Sequence, residues 1–413
     1  MRKRAQCLKK MLLLENMRTT SLLISPLLII LLAGCAEDKN AKKKWFKGNL
    51  HTHSYWSDGD EFPEMIMDWY KTGGYDFVAL TDHNILAEGE KWIVVRKGRI
   101  YEEAFDKYLG KYGEGWVTYK RDTGRVQVRL KTYEEYKPLF EDDSFLIIQA
   151  EEITDNFNGK PIHMNATNVK TLIPPQGGES VSDVMQRNVD AVLKQREETG
   201  VPMFPHINHP NFHFAITAGD IINIKGERFF EVYNGHPQVY NYGDSTRAGT
   251  EHMWDEINMA YYQRNQPFLY GLATDDSHNY HMLGDDYSNA GRGWVMVHTD
   301  SLNAGSLIRA MEAGDFYSTT GVILDEVAVR ERSIHIDVKE EEGVRYEIQF
   351  IGATGQDTNT SILKRESGSK ATFELNDSYV FVRAKIISDK IKKNPFMEGD
   401  YEMAWTQPVR GDQ

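Results

Sequence analysis

The chain has 413 residues, 48 Lys and Arg against 61 Asp and Glu, and two cysteines, enough chain for more than one domain and no disulfide-stapled miniprotein. With 40% hydrophobic and 26% charged residues, it is neither a disordered nor a collagen-like chain. The formal charge is -13, and it becomes -18 once the first 34 residues, with six basic side chains and one acidic one, are set aside. Such a body repels polyphosphate and carries no long basic stripe with interleaved aromatics, which argues against nucleic acid as a partner. An anionic substrate therefore needs a local cation.

Basic residues up to Arg18 precede the apolar run SLLISPLLIILLA, Ser21–Ala33, which is short for a bilayer span and is interrupted by Pro26. This run reads as the core of a signal peptide covering residues 1–34, with Met17 as an alternative start. It ends in Leu32-Ala33-Gly34-Cys35, which resembles the lipobox of bacterial lipoproteins, where small residues fit the peptidase and the cysteine thiol is lipidated. The expectation is a lipid on Cys35, a polar tether over residues 35–46, and a body held at the membrane of a bacterial cell envelope, facing the periplasm or the outside. Cleavage before Cys35 removes Cys7, so no disulfide is expected.

From residue 47 to about 322 short β-like runs alternate with helical segments. The runs are Gly48–His53, Phe77–His83, Phe145–Thr154, Ile162–Val169, Met203–His209, Phe229–Asn234, Phe268–Asp275 and Gly293–His298. Helices are expected over Ser182–Glu198, Thr250–Arg264 and Ser301–Ala313. Seven or eight such units predict an α/β barrel, with His51, His83, Glu152, His209 and Asp276 at the C-terminal ends of strands, where barrels build active sites. Residues 84–143 form an insert too long for an ordinary connection; its stretch Trp116–Leu130 alternates like a hairpin around Asp122-Thr123-Gly124. It is either a surface decoration or a lid or wall of the substrate pocket. Residues 323–413 change to short alternating strands (Ser333–Val338, Tyr346–Ile351, Ala371–Leu375, Tyr379–Ile387) without a helix, predicting a small all-β, sandwich-like domain.

Imidazole nitrogen and carboxylate oxygen are the natural donors for zinc, manganese and iron, and a hydrolytic site needs several of them converging with room for water. His51-Thr-His53 supplies two imidazoles at alternate positions of a strand, which face the same way. Such a pair arises by chance about 0.4 times in a chain of this histidine content, so the specificity lies in its company. That company is Asp58 in Ser-Asp-Gly, His83 closing Phe-Val-Ala-Leu-Thr-Asp-His, Glu152 in Glu-Glu-Ile-Thr, His163 in Ile-His-Met-Asn, His209 in Asn-His-Pro-Asn, and Asp276-Ser-His278.

From about Lys47 to Gly321 these motifs, in this order, resemble the PHP (polymerase and histidinol phosphatase) superfamily of metal-dependent hydrolases. The nearest branch is the carbaryl-hydrolase-like one, which includes carbamate and aryl-ester hydrolases; Ala404-Trp405-Thr406-Gln407-Pro408 supports that match. The resemblance implies a distorted (β/α)7 barrel with two or three divalent ions at its C-terminal mouth. His51, His53, Glu152 and Asp276 are implied to hold the first, Glu152 to bridge to a second held by His163 and His209, and Asp58, His83 and His278 to hold a third. Glu151, His206 and Asp275 compete for three of these positions; Glu152, His209 and Asp276 are preferred because they fit the family's Glu-Ile-Thr, His-Pro and Asp-x-His patterns. His252, His298 and His335 read as ordinary surface or core residues, and His213, His236 and His281 as near-site residues.

The expected chemistry is hydrolysis of a small ester by a metal-bridging hydroxide, with Asp276 managing the proton and Arg292 or Asn234 orienting an anionic group. Phosphoester hydrolysis ranks narrowly first. Carboxylic or carbamic ester hydrolysis at the same site is the alternative, and a non-catalytic surface lipoprotein that binds through its β domain is the third reading.

Overall fold

The computed structural model describes residues 42–412 apart from 123 and 331, so the expected signal peptide and Cys35 lie outside the described residues. Strand β1 (Lys44–Asn49) runs parallel to β2 (Phe77–Leu80), with helix α1 (Pro63–Thr72) between them. Pro63 opens α1 at a position where its missing N–H costs nothing, and Ile66, Met67 and Tyr70 face the core. Strand β1 thus begins inside the stretch expected to be tether, because Phe46 is buried and the Trp45 ring packs against His298 and Tyr317.

The insert follows as β3 (Trp92–Val94), α2 (Arg99–Tyr112), β4 (Tyr119–Asp122), β5 (Arg125–Arg129) and α3 (Tyr133–Phe140). Its strands form a separate antiparallel sheet in the order β3-β5-β4, with the expected hairpin at β4–β5. Strand β6 (Leu146–Phe157) lies parallel to β2 and returns as β7 (Lys160–Thr167). Helix α4 (Val181–Thr199), capped by Ser180, leads to β8 (Phe204–Ile207); the short α5 (Ala218–Ile221) leads to β9 (Phe229–Asn234), and α6 (Thr250–Gln263) to β10 (Tyr270–Thr274).

The seven strands lie in the order β10-β9-β8-β7-β6-β2-β1, and the two ends of the row meet at the mouth. His53 N donates to Ser277 O and Asp276 N to His51 O, each at 2.9 Å, and Thr52 pairs with Ser277. The row is thereby closed into a barrel. It is distorted because β7 is antiparallel to both β6 and β8, where a regular barrel would have parallel neighbours.

Strand β11 (Trp294–Thr299) lies antiparallel on β1, and after α7 (Ala304–Glu312) β12 (Phe316–Thr319) lies antiparallel on β11. The remaining chain is all-β among the described residues: β13 (Leu324–Arg330), β14 (Ser333–Val338), β15 (Tyr346–Thr354), β16 (Ser361–Ser367), β17 (Lys370–Glu374), β18 (Tyr379–Ile391), β19 (Tyr401–Thr406) and β20 (Val409–Arg410). Sheet β13-β14-β17 packs on β19-β18-β15-β16; the alternate residues Ile334, Ile336 and Val338 meet Ile348, Phe350, Val382 and Ile386 in one core. This β layer continues the barrel's sheet, because β12 pairs with β19 from Tyr317↔Thr406 to Thr319↔Ala404. Ala404-Trp405-Thr406-Gln407-Pro408 is therefore a strand end pressed on the barrel: Trp405 stacks on Tyr233, and the Gln407 amide both accepts from Gly271 N and donates to Gly271 O. No helix of the described residues is long and apolar enough to cross a membrane.

Candidate metal centre

The mouth of the barrel gathers the expected donors from almost every strand. His51 and His53 sit just past β1, flanking the Thr52 bridge that closes the barrel, so alternation turns both rings inward. His83 lies past β2 and pairs with Glu152, which stands in mid-strand because β6 runs on beyond the barrel as a hairpin with β7. In that hairpin His163 is directly opposite Thr154. His209 and Asp276, past β8 and β10, both have left-handed backbone, with φ of 21° and 50°. Strained, non-glycine conformations of this kind persist where the surroundings fix a side chain for use. Asp58 sits in a turn whose Gly59 allows close approach: a Cβ there would lie 2.6 Å from the His53 carbonyl oxygen.

Glu152 is the hub. Its Oε2 lies 3.4 Å from His51 Nε2, 3.3 Å from His53 Nε2 and 2.9 Å from His83 Nδ1. Its Oε1 lies 3.1 Å from His163 Nδ1 and 3.3 Å from His209 Nε2, and accepts from Asn208 Nδ2 at 2.8 Å. Asp276 Oδ1 is 3.2 Å from both His51 Nε2 and His53 Nε2 and 3.6 Å from His278 Nδ1. Asp58 Oδ1 meets His278 Nε2 at 3.4 Å and His83 Nε2 at 3.5 Å on the solvent side. All nine expected donors are brought together, in four overlapping groups rather than the three expected: His53, Asp58, His83 and His278; His51, Glu152 and His209; His51, His53 and Asp276; and His83, Glu152 and His163.

The fit to metal rests on atoms that nothing else satisfies. His51 Nε2, His53 Nε2, Glu152 Oε2 and His163 Nδ1 are buried and have no hydrogen-bond partner among the described residues, although buried polar atoms are normally paired. Donor separations of 3.2–3.4 Å are those expected around a cation with bonds of about 2.0–2.2 Å. The charges agree. Burial pushes the carboxyl of Glu152 up, but the imidazoles of His83, His51 and His163 outweigh it and hold the group well below the usual carboxylate range. Asp276 is held down in the same way, against burial, by His51 and His53. The same carboxylates drive His51 and His83 upward against burial, His83 to about 11. A field that favours positive charge so strongly at these rings also draws a divalent cation.

Two of the three competing residues point elsewhere. Glu151 Oε1 accepts from Ile173 N at 2.7 Å, and burial pushes its carboxyl up to about 8. Asp275 is a structural acceptor for Gly291 N, Arg292 N, Gly293 N and Tyr70 Oη. The third, His206, stands behind His51 with both ring nitrogens unpaired among the described residues and its Nε2 3.4 Å from Glu231 Oε1, so it forms a further candidate donor group with His51 and Glu231; burial lowers its pKa and keeps it neutral.

Sequence reasoning missed Glu231. This fully buried carboxylate lies 2.7 Å from His51 Nδ1 and accepts from Thr274 Oγ1 through Oε1; through Oε2 it accepts from His209 N at 2.7 Å and Asn234 Nδ2 at 2.8 Å. Its signal was present as the single charge in the apolar strand Phe229–Asn234. Asn234 also donates to Asp276 Oδ2 at 3.1 Å, so it orients a carboxylate of the centre. The role expected of Arg292 is corrected. Its guanidinium is buried, and its donors go to the main-chain carbonyls of Gly235, Tyr287, Gly284, Asn394 and Pro395, tying loops together instead of facing the centre. His281 Nε2 lies 2.9 Å from Asp60 O, and His213 packs on Phe212.

No family model matches the chain, and no curated protein matches it in sequence. Among solved structures it is similar to a two-domain protein from Bacteroides vulgatus described as containing a predicted PHP-like metal-dependent phosphoesterase, at 14% identity and a TM-score of 0.40 over 89% of this chain and 96% of that one. It is also similar to an amidohydrolase from Chromobacterium violaceum, at 10% identity and TM-score 0.29 over 59% of this chain and 90% of that one. A protein of Bifidobacterium adolescentis provisionally described as a metal-dependent phosphoesterase gives 12%, 0.29, 59% and 92% on the same measures. At these values the functional reading rests on the site itself.

Proposed function

We propose that this protein is a metal-dependent hydrolase of the PHP type that cleaves small phosphate esters. The observation that carries the reading is the convergence of unpaired buried donors on both oxygens of Glu152. On these donor separations His51, His53, Glu152 and Asp276 would hold one divalent ion, Glu152 with His163 and His209 a second, and Asp58, His83 and His278 a third, with zinc, manganese or iron suited to this donor set. Bound ions supply an acidified water as nucleophile and neutralise charge developing on substrate oxygens. Three ions would bring six positive charges against the four carboxylates Asp58, Glu152, Glu231 and Asp276, a surplus of about two that a phosphate monoester dianion matches.

The chain's own residues perform the rest. Asn234 holds Asp276 Oδ2, which keeps Oδ1 turned toward the imidazoles and the ionised carboxylate ready to take the proton of the attacking water. Burial lowers His236 to about 4, so its ring is neutral at physiological pH. Gln238 N donates to its Nδ1 at 3.1 Å, which leaves the proton on Nε2. With the ring centroid 5.6 Å from that of His278, this N–H is a donor for a substrate oxygen at the mouth.

One observation favours a second reading. Arg292 is committed to carbonyls, and an uncharged carboxylic or carbamic ester, the substrate class of the carbaryl-hydrolase-like branch, needs no such cation. We further propose that the enzyme is lipid-anchored through Cys35 at a bacterial cell envelope and acts there on an exported or periplasmic substrate; the lipobox-like Leu32–Cys35 supports this.

The test uses the soluble form, residues 36–413, loaded in turn with zinc, manganese and iron and assayed on p-nitrophenyl phosphate and p-nitrophenyl acetate, with His51→Ala/His53→Ala as background. Phosphate turnover abolished in the variant is the expected result. Turnover of acetate alone would move the assignment to ester hydrolysis, and protein that retains no metal after reconstitution would sink the hydrolase reading.

A further inference from the structure

We propose that the floor of the barrel carries a second binding site, separate from the metal centre, for a small ring-bearing carboxylate. A cavity of about 440 Å³ lies there, within the roughly 300–1,000 Å³ typical of small-molecule sites. It opens at the starts of β9 and β10, between the barrel and the C-terminal strands, whereas the metal donors stand beyond the ends of the same strands. At about 3.3 Å per residue, Tyr270 on its wall and Asp276 at the centre are roughly 20 Å apart along β10. One ligand of ordinary size cannot touch both.

The lining defines the ligand. Arg228 and Arg410 both border the cavity, and the only carboxylate on its wall, Asp315, is taken by Lys43 at 2.6 Å. Arg228 donates to the carbonyls of Phe268 (3.2 Å) and Glu312 (3.5 Å) and meets the Tyr270 hydroxyl, so all its partners are neutral and no carboxylate pairs with it among the described residues. Arg410 reaches Asp412 through Nε alone, at 3.3 Å, and both its terminal nitrogens are left over among the described residues. In a chain of net charge -13, two guanidinium groups on one cavity are the reverse of the general pattern. A carboxylate answers them, since guanidinium forks match its planar pair of oxygens.

The ring is read from the other walls. Trp45, Phe268, Tyr270 and Phe316 line the cavity, so a flat apolar body is surrounded by aromatic surface while its charge meets the arginines. The cations are also pre-placed: the Arg228 guanidinium lies 4.9 Å over the Tyr270 ring, and that of Arg410 lies 5.1 Å over Tyr262 and 5.7 Å over Phe268. His298, tilted against Trp45 with ring centroids 4.6 Å apart, is kept neutral by burial and adds a hydrogen-bonding edge without charge.

The probe is 4-fluorobenzoate, followed by fluorine NMR line broadening against the whole soluble chain, with uncharged 4-fluorobenzyl alcohol as its partner. Saturable binding of the carboxylate in the millimolar range or tighter is expected, at least about tenfold weaker in Arg410→Ala and in Arg228→Gln, as loss of a charge-assisted hydrogen bond implies. Arg410 lies on a two-residue strand near the chain end, so its variant leaves the core intact even where Arg228→Gln disturbs the barrel. Binding is also expected to survive unchanged in chelator-treated protein and in His51→Ala/His53→Ala, which separates this site from a carboxylate captured at the metal centre. Absence of saturable binding, equal binding of the alcohol, indifference to Arg410→Ala, or loss of binding on chelation would each overturn the proposal.

Discussion

Glu231 makes five polar contacts from a position closed to solvent, and three of them set the geometry of other members of the centre: the His51 ring, the main chain of His209 and the amide of Asn234. A carboxylate behind a metal-binding imidazole fixes which ring nitrogen carries the proton and where the other points. Replacing it by alanine frees the His51 tautomer and leaves the strained His209 backbone without its acceptor. Affinity for zinc or manganese is therefore expected to fall about 10- to 100-fold in Glu231→Ala, with Glu231→Gln intermediate, measured by competition with a chelating dye. Wild-type affinity in the alanine variant would show that the ring is held by packing alone. This residue was illegible because its meaning lies in partners far along the chain; His51 is 180 residues away. His51, His53, His83, His163, His209 and His278 were legible for the opposite reason, each being a donor of the right kind at or near a strand end. Arg292 was misread because an arginine beside glycines looks the same in sequence whether it meets a ligand or five carbonyls.

Helix α6 and strand β18 are joined across the barrel's flank by Arg383, which is 1% exposed. It donates to Asp255 through Nε at 2.7 Å and Nη2 at 2.8 Å, and to Glu251 at 3.0 Å, over the face of Trp254. Removing one partner of such a pair strands a buried charge, so Asp255→Ala is expected to cost about 3–5 kcal/mol in urea unfolding. Arg383→Met/Asp255→Leu should cost clearly less than the sum of its single changes; strict additivity would mean that the two groups do not interact. The elements these residues join were both read from sequence, α6 from its length and β18 from its alternation. Boundaries were harder. Strand β1 starts at Lys44 because Phe46 and Trp45 find tertiary partners, and β6 runs to Phe157 because its hairpin with β7 keeps the backbone paired beyond the barrel. Within the insert only the hairpin was visible; α2 and α3 were not read, although Ala104, Phe105 and Tyr108 form the buried face of α2.

Local pattern gave seven or eight runs, of which the eighth, Gly293–His298, is β11 outside the closed row; the closure itself and the merging of the C-terminal strands with the barrel sheet could not be read. Both depend on pairings between distant segments, Thr52 with Ser277 and Tyr317 with Thr406. Closure has a consequence for stability. The donors come from the ends of β1, β2, β8 and β10 and from β6 and β7, and β9 adds Glu231, so every strand of the barrel contributes to one polar cluster. Without cations, four carboxylates are held close together in a largely buried mouth; with them, each ion ties several strands around the circumference. A ligand that binds only the folded chain stabilises it by about 4 kcal/mol when present at a thousandfold excess over its dissociation constant. Treatment with a chelator is therefore expected to lower the calorimetric Tm by several degrees and to make it depend on added zinc or manganese. His51→Ala/His53→Ala should melt near the chelated wild type and respond little to either treatment. A wild-type Tm indifferent to both chelator and metal would mean that the strands close on their backbone hydrogen bonds alone, and that the unpaired donors around Glu152 do not hold an ion.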